Sequence, residues 1–141
     1  RRPGKLLRGC TEISDAFCEA NTDEADAPYI SVLKAYKDEW LGMSLKIGER
    51  AMENPDEAGA AAVDYLMYSG YVTLAFFWAR MAVLARQKIA AAEGDASFYE
   101  AKLMTAEFYF DRLLPRTRAH KEALESGSDN LMQMPEAMFD F

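Results

Sequence analysis

A chain of 141 residues is long enough to form one domain that buries most of the apolar surface its unfolded form would expose. Half of its residues are hydrophobic and 28% are charged, which is typical of a folded globular protein and excludes wholesale disorder. Lys and Arg number 16 against 23 Asp and Glu, and the resulting net charge of -7 repels phosphate backbones and anionic lipid surfaces. We therefore set nucleic acid aside as a partner. The longest uncharged run, from Tyr65 to Ala79, is shorter than the roughly 20 apolar residues that span a bilayer, so we expect no membrane span.

The first helical pattern covers the N-terminal segment and stops near Asn21. Its apolar positions, spaced by 4, 3 and 4, are Leu6, Cys10, Ile13 and Phe17. Cys10 and Cys18 share this helix with their Cα atoms about 12 Å apart, whereas a disulfide needs less than about 7 Å. No basic-then-apolar signal segment opens the chain, and free thiols fit a reducing compartment, so we expect a cytoplasmic protein.

The second helical pattern follows an acidic loop at residues 23–26. Pro28 suits a first helical position, because a proline there loses no intrahelical hydrogen bond. The seam that follows alternates spacings of 4 and 3 and consists of Tyr29, Leu33, Tyr36, Trp40, Met43 and Ile47. This spacing predicts a helix that packs one face in a bundle.

The third helix has the clearest start signal in the chain. Asn54 is predicted as the N-cap, Pro55 as the first helical residue, and Glu57, three residues after the cap, as the second member of a capping box. We expect this helix to run to about Ala92 and to stop at Gly94.

The fourth helix begins at Asp95 or Ser97, either of which suits an N-cap, and ends at Gly127. Its seam consists of Tyr99, Leu103, Ala106, Phe110, Leu113 and Thr117. Pro115 removes the backbone hydrogen bond to the carbonyl of Asp111, which predicts a kink. We expect the tail to pack back on the bundle through its apolar residues, which are Leu131, Met132, Met134, Met138, Phe139 and Phe141.

Short connections between long helices favour antiparallel neighbours. The sequence therefore predicts an all-α fold, an antiparallel up-and-down four-helix bundle with a short helical or irregular C-terminal tail, in one domain spanning residues 1–141. The chain opens at Arg1 rather than at Met, and we interpret it as the C-terminal fragment of a larger protein.

The sequence offers little for a metal or haem site. A di-iron carboxylate bundle needs Glu-x-x-His pairs from two helices, whereas this chain has one histidine, His120, preceded three positions earlier by Thr117. A haem would need an axial pair such as a methionine with His120. Because His120 continues the seam of the fourth helix, we interpret it as a hydrogen-bonded packing residue rather than a ligand.

Catalytic motifs are equally scarce. The sequence contains neither a Gly-x-Ser-x-Gly turn nor a glycine-rich phosphate loop. Asp64 with Asp56 or Glu57 would form a carboxylate pair, but the helix dipole attracts acidic residues to the start of a helix, so we interpret these as structural. Single glycines inside helices are interpreted as points of close approach by another helix; they are Gly42, Gly48 and Gly70.

The third helix is apolar nearly all round. One stripe consists of Val63, Leu66, Gly70, Phe77, Met81 and Leu84, and another of Tyr65, Tyr68, Val72, Phe76 and Val83. Its aromatic residues, which also include Tyr71 and Trp78, are interpreted as core rather than as a cofactor cage. A small bundle buries only one stripe, so the surplus face predicts an additional partner surface.

Several stretches from about Pro28 onward carry a family resemblance. The third helix reads Asp64-Tyr65-Leu66-x-x-x-Gly70-Tyr71-Val72 and then Trp78-Ala79-Arg80-Met81-Ala82. The fourth opens with Gly94-Asp95-Ala96-x-Phe98-Tyr99-x-x-Lys102-Leu103 and continues with Ala106-x-Phe108-Tyr109-x-x-Arg112-Leu113-Leu114-Pro115. This sequence resembles the C-terminal helical accessory domain of FAD-dependent acyl-CoA dehydrogenases, in the branch that includes methylthiopropionyl-CoA dehydrogenases.

The resemblance implies a parent enzyme that oxidises an acyl-CoA to the 2,3-enoyl-CoA, with a glutamate taking the α-proton and the flavin accepting the β-hydride. In that family the FAD, the acyl-CoA pocket and the glutamate belong to preceding domains. No catalytic, cofactor-binding or metal-binding residue is therefore assigned to any position here. The implied partner is the remainder of the parent enzyme or a second copy of the chain. The alternative is a free-standing helical association or dimerisation module, which a short reading frame would favour.

Overall fold

The computed structural model of the protein describes residues 5–139, with side chains from Leu7 onward. Within that range all regular structure is helical, which confirms the predicted all-α bundle. The α-helices are α1 (Lys5–Ala20), α2 (Ala27–Glu53), α3 (Asp56–Ala90), α4 (Ala96–Phe108), α5 (Thr117–Glu125) and α6 (Asp129–Met132). Short 3-10 turns cover Glu24–Asp26, Leu114–Arg116 and Glu136–Phe139, and a π-helical segment covers Tyr109–Leu113.

Helix α3 is the centre of the bundle, because it packs against α2, α4 and α5, while α1 packs against α2. One core cluster joins α2, α3 and α5 around Trp40, Tyr68 and Leu124. A second joins Leu33 of α2 to Ala79 of α3 and to the segment that follows α4. Every residue of the two seams predicted for the second and fourth helices is buried or half-buried, so both seams are confirmed.

Helix α1 packs through a different face from the predicted one. Cys10 and Ile13 are exposed, whereas Thr11 and Ser14 are buried. Thr11 buries its hydroxyl at low cost, because Oγ1 donates a hydrogen bond to the carbonyl of Arg8 at 2.9 Å. The predicted stripe is therefore wrong at two positions, although Phe17 does pack on the core.

Both cysteines of α1 are free thiols, as their spacing predicts. The side chain of Leu6, the remaining member of the predicted stripe, lies outside the described residues.

The start of α3 matches its predicted cap only in part. Asn54 Oδ1 accepts a hydrogen bond from the backbone N–H of Asp56 at 3.1 Å, so Asn54 does satisfy a free N–H at the start of the helix. The helix begins at Asp56, however, one residue after the predicted Pro55, which occupies the cap position. The capping box is wrong, because the Glu57 carboxylate accepts hydrogen bonds from Ser128 instead.

The remaining boundaries follow the predicted stops. Helix α3 ends at Ala90, and Gly94 reverses the chain with a φ of 75°. Asp95 caps α4 by accepting a hydrogen bond from the Ser97 N–H at 2.9 Å, and Gly127, also with a φ of 75°, follows α5.

The predicted interruption at Pro115 divides the fourth helix into α4 and α5. Pro115 has no N–H to continue the α-helical ladder, and its ring conflicts with the preceding turn. The chain accommodates it with a wide π turn over Tyr109–Leu113 followed by a tight 3-10 turn. Leu114 is fully buried within this irregular segment, so the kink is a packed part of the core.

The tail does not pack back on the bundle as predicted. Leu131, Met132, Met134, Met138 and Phe139 are each between 53% and 62% exposed. Phe141 lies outside the described residues. The short helix α6 and the 3-10 turn after it are too brief to bury an apolar face of their own.

Candidate association surface

Helix α3 has two apolar faces that differ in size. Its buried face is built largely from small side chains, which are Ala61, Ala75, Ala79, Ala82 and Ala85, together with Tyr68, Val72 and Val83. Its outward side carries large ones, with Val63 72%, Leu66 70%, Met67 42%, Leu74 50%, Phe77 48% and Leu84 51% exposed. The predicted division into one buried and one surplus stripe is thus confirmed.

We call the outward side the α3 face and define it by Val63, Leu66, Met67, Gly70, Leu74, Phe77, Met81 and Leu84. Gly70 lies at its middle and is exposed; a Cβ there would meet no atom within 4 Å. No other helix of the chain approaches Gly70, so the interpretation of Gly70 as a point of close approach by another helix is wrong within this chain, and so is the same interpretation of Gly42 and Gly48. Gly70 instead leaves a gap in the row of large side chains.

Helix α4 adds exposed apolar side chains that the sequence analysis did not identify. Phe98, Met104 and Phe108 are all more than half exposed. Lys102 Nζ lies 5.1 Å from the centre of the Phe98 ring, a cation-π contact that covers part of it. The alternating spacing of the seam identifies only the buried face of this helix, so it could not predict these outward residues.

His120 is a packing residue, as predicted. Its Nδ1 lies 2.9 Å from Asp64 Oδ1, and its ring stacks on Tyr71 with 6.0 Å between ring centres. Asp64 is therefore engaged with His120 rather than with Asp56 or Glu57, so the structure does not bring the candidate carboxylate pair together. Among residues 5–139, no group of three or more His, Cys, Asp and Glu side chains is placed to hold a metal ion.

The other aromatic residues of α3 pack in pairs within the bundle rather than around one cavity. Phe76 meets Phe17 of α1 edge to face at 5.7 Å, and Trp78 stacks on Tyr109 at 6.3 Å. Phe77 is the exception, because it belongs to the α3 face. The interpretation of these residues as core therefore holds for all but Phe77.

A polar cluster that the sequence analysis missed joins α2, α3 and α5. Glu39 accepts hydrogen bonds from the Tyr68 hydroxyl and from Lys121, one at each carboxylate oxygen. Burial raises the pKa of Glu39, but these two hydrogen bonds outweigh it and hold the pKa below its usual range. Burial, and then the bond to Glu39, raises the pKa of Tyr68. Spacing along one helix cannot reveal this cluster, because its members come from three helices.

Each polar group of this cluster has a partner within it, so the cluster ties the helices together. It borders an open cleft between α2 and α5 that is also lined by Arg118 and Glu122.

Within the part of the chain that the structure describes, no helix combines the length and apolar character needed to cross a membrane. The exposed apolar residues of the α3 face are the feature that most distinguishes this surface from that of an ordinary small bundle.

Comparison with known proteins identifies the family of this bundle. The family described as "Acetyl-CoA dehydrogenase C-terminal like" matches residues 10–135. The chain belongs to this family. The match covers α2 to α5 in full and confirms the resemblance to the C-terminal domain of acyl-CoA dehydrogenases.

A curated relative carries the same enzyme class in its name. The broad-specificity linear acyl-CoA dehydrogenase FadE5 of Mycobacterium tuberculosis is 32% identical over 85 residues. Those residues are 59% of this chain and 14% of that enzyme, so the chain matches only a small part of its relative's length.

Proposed function

We propose that this chain is the C-terminal accessory domain of an FAD-dependent acyl-CoA dehydrogenase, and that it acts by association rather than by catalysis. The observation that carries the proposal is the α3 face, which leaves large apolar side chains in water on the side of α3 opposite its buried alanines. Membership of the acyl-CoA dehydrogenase C-terminal family supplies the enzyme class.

The physical argument rests on the length of this face. From Val63 to Leu84 it runs for about 30 Å at the helical rise of about 1.5 Å per residue. Single exposed apolar residues are normal in a folded domain, but a row of this length, with a gap at Gly70, indicates a surface that another protein segment covers. The exposed tail adds a second apolar segment.

In the proposed parent enzyme, the preceding domains would hold the FAD, which would supply the hydride acceptor, and a glutamate that would act as the base for the α-proton of the acyl-CoA. We assign no catalytic, flavin-binding or metal-binding role to any residue of this chain. The free thiols of Cys10 and Cys18 support a cytoplasmic enzyme.

The test compares the complete gene product, including whatever precedes this chain, with the 141-residue chain purified alone. We expect the complete product to be yellow and to oxidise acyl-CoA, and the chain alone to be colourless and inactive. Flavin absorbance and electron-acceptor reduction are the measurements. A chain that purifies alone with stoichiometric FAD would show that the cofactor site lies in this domain, which would contradict the proposal.

The same exposed face supports a second candidate function, a free-standing association module. The two candidates differ in the length of the reading frame. An accessory domain requires a frame several times longer than this chain, with the flavoprotein domains upstream, whereas an independent module requires none of that sequence.

A further inference from the structure

Apart from Leu66, the residues of the α3 face repeat with heptad spacing. Val63, Gly70, Phe77 and Leu84 are seven residues apart, and Met67, Leu74 and Met81 form a second set offset by four, which Ala60 extends by one position before the face. This is the alternating spacing by which two helices pack along a common seam. In most bundles such a seam faces inward, whereas most of this one is exposed and only Ala60 and Met81 are half-buried.

Charged residues continue both sets at the ends of the face. Asp56 lies seven residues before Val63, and Lys88 lies seven residues after Met81. Asp56 is exposed, and Lys88 pairs on the surface with Glu93. Exposed pairs of this kind contribute little to stability, so Lys88 can exchange its partner at small cost.

The two ends of the α3 face carry opposite charges, Asp56 at one end and Lys88 at the other. Other charged residues of this helix bond inside the bundle: Glu57 to Ser128, Asp64 to His120 and Arg86 to Asp26. Two copies of α3 placed antiparallel would bring Asp56 of each copy beside Lys88 of the other. A parallel pair would place Asp56 beside Asp56 and Lys88 beside Lys88.

We propose that the α3 face binds the α3 face of a second copy of this chain, with the two helices antiparallel and the two-fold axis at the level of Val72. This inference deepens the association role proposed above and names the partner. In this register every residue of one heptad set lies opposite a residue of the other. The pairs are Asp56 with Lys88, Ala60 with Leu84, Val63 with Met81, Met67 with Phe77, and Gly70 with Leu74.

Side-chain size favours this register. Gly70 has open space where its Cβ would be, and Leu74 of the second copy would fill it. Ala60 likewise lies opposite the large Leu84. A parallel pair would set Gly70 against Gly70 and Phe77 against Phe77, which leaves a gap in one layer and crowds the other. The bundles of the two copies would then lie on opposite sides of the paired helices.

Light scattering on the 141-residue chain tests the oligomeric state. We expect twice the chain mass of 15.8 kDa at micromolar concentration. Phe77→Glu should raise the dissociation constant by about a hundredfold or more, because it places a carboxylate in the middle of the seam. Ile13→Glu, at an exposed residue of α1 away from the face, is the matched control and should remain dimeric.

Disulfide trapping tests the direction of the helices in a Cys10→Ser, Cys18→Ser background. The double variant Val63→Cys, Met81→Cys should form an interchain crosslink on oxidation, because the two positions face each other only in an antiparallel pair. They are about 27 Å apart along one helix, so they cannot join within a chain. Val63→Cys alone should stay uncrosslinked.

A monomeric chain, a dimer insensitive to Phe77→Glu, or a crosslink through Val63→Cys alone would each overturn this inference. The outcome is separate from that of the flavin experiment. If the chain alone is monomeric and the complete gene product is yellow and active, the α3 pairing is refuted and the accessory role stands. If the chain alone is dimeric and the complete gene product lacks flavin, the α3 pairing stands and the accessory role is refuted.

Discussion

His120 on α5 and Asp64 on α3 share a hydrogen bond of 2.9 Å between Nδ1 and Oδ1, and the histidine ring stacks on Tyr71 of α3. Because the π and 3-10 turns separate α5 from α4, the α-helical hydrogen bonds of α4 do not continue into α5 and do not fix the position of α5. This contact, together with the bonds from Lys121 and Tyr68 to Glu39, holds α5 against the rest of the bundle.

We expect His120→Ala to lower the free energy of unfolding by about 1 to 2 kcal/mol, because it removes a partly buried hydrogen bond and a ring contact. His120→Gln should cost less, because its side-chain amide retains hydrogen-bonding groups. Urea unfolding followed by circular dichroism measures both, with Arg116→Ala at an exposed neighbour as the control. An unchanged midpoint for His120→Ala would mean that the contact with Asp64 does not stabilise the fold.

Glu57 fixes the start of the tail. Its Oε1 accepts hydrogen bonds from the backbone N–H of Ser128 at 2.9 Å and from the Ser128 hydroxyl at 2.7 Å. We expect Glu57→Ala to raise the hydrogen-exchange rate of the Ser128 amide by about tenfold or more and to speed proteolysis of the tail, because that buried N–H loses its acceptor. Glu53→Ala, at an exposed glutamate of α2, is the control and should leave both rates unchanged.

Stability should fall at acid pH through two glutamates. The Ser128 hydrogen bonds lower the pKa of Glu57, and those from Lys121 and Tyr68 lower the pKa of Glu39 against the effect of its burial. The unfolded chain therefore binds protons at these groups more readily than the folded chain. Their contribution is complete above the unfolded pKa of about 4.3 and is lost as the pH falls through the lower folded values.

The measurement for this prediction is urea unfolding from about pH 7 to pH 3. The double variant Glu39→Gln, Glu57→Gln should be less stable at neutral pH and should lose less stability on acidification. If the free energy of unfolding falls equally with pH in the variant and in the wild type, this prediction is contradicted.

Gly70→Ala should stabilise the monomeric chain by up to about 1 kcal/mol, because alanine favours the helix and its Cβ meets nothing within 4 Å. The Phe77→Glu background keeps the chain monomeric for the measurement. Gly94→Ala provides the contrast, because Gly94 has a φ of 75° and its Cβ would lie 3.2 Å from Tyr99, so that change should destabilise. A lower melting temperature for Gly70→Ala would mean that another segment contacts this position.

The sequence predicts best the features that depend on short spacings. The seam of α2, the end of α3 at Gly94 and the interruption at Pro115 each follow from residues within a few turns of each other. The face of α1 is mispredicted because hydropathy ranks Ile13 above Thr11, while the hydroxyl of Thr11 is satisfied within its own helix and can be buried. The choice between the two faces depends on the neighbouring helix.

Contacts between distant residues account for the other errors. Glu57 has the spacing of a capping-box partner for Asn54, but Ser128, 71 residues away, takes its carboxylate. The tail is apolar enough to suggest packing, yet nothing in its spacing tells whether its own bundle or another surface covers it. The surplus face of α3 was predictable because it concerns one helix, whereas its occupant depends on a comparison of register and charge between two helices.

The small inner face of α3 has a thermodynamic consequence. Alanines such as Ala75, Ala79 and Ala82 lose little apolar area when the bundle forms, while Phe77, Leu74 and Leu84 keep half of theirs in water. Much of the hydrophobic free energy available to α3 is therefore released only when a second surface covers it. Folding and assembly are then linked by mass action, and the melting temperature of this domain should rise with its own concentration.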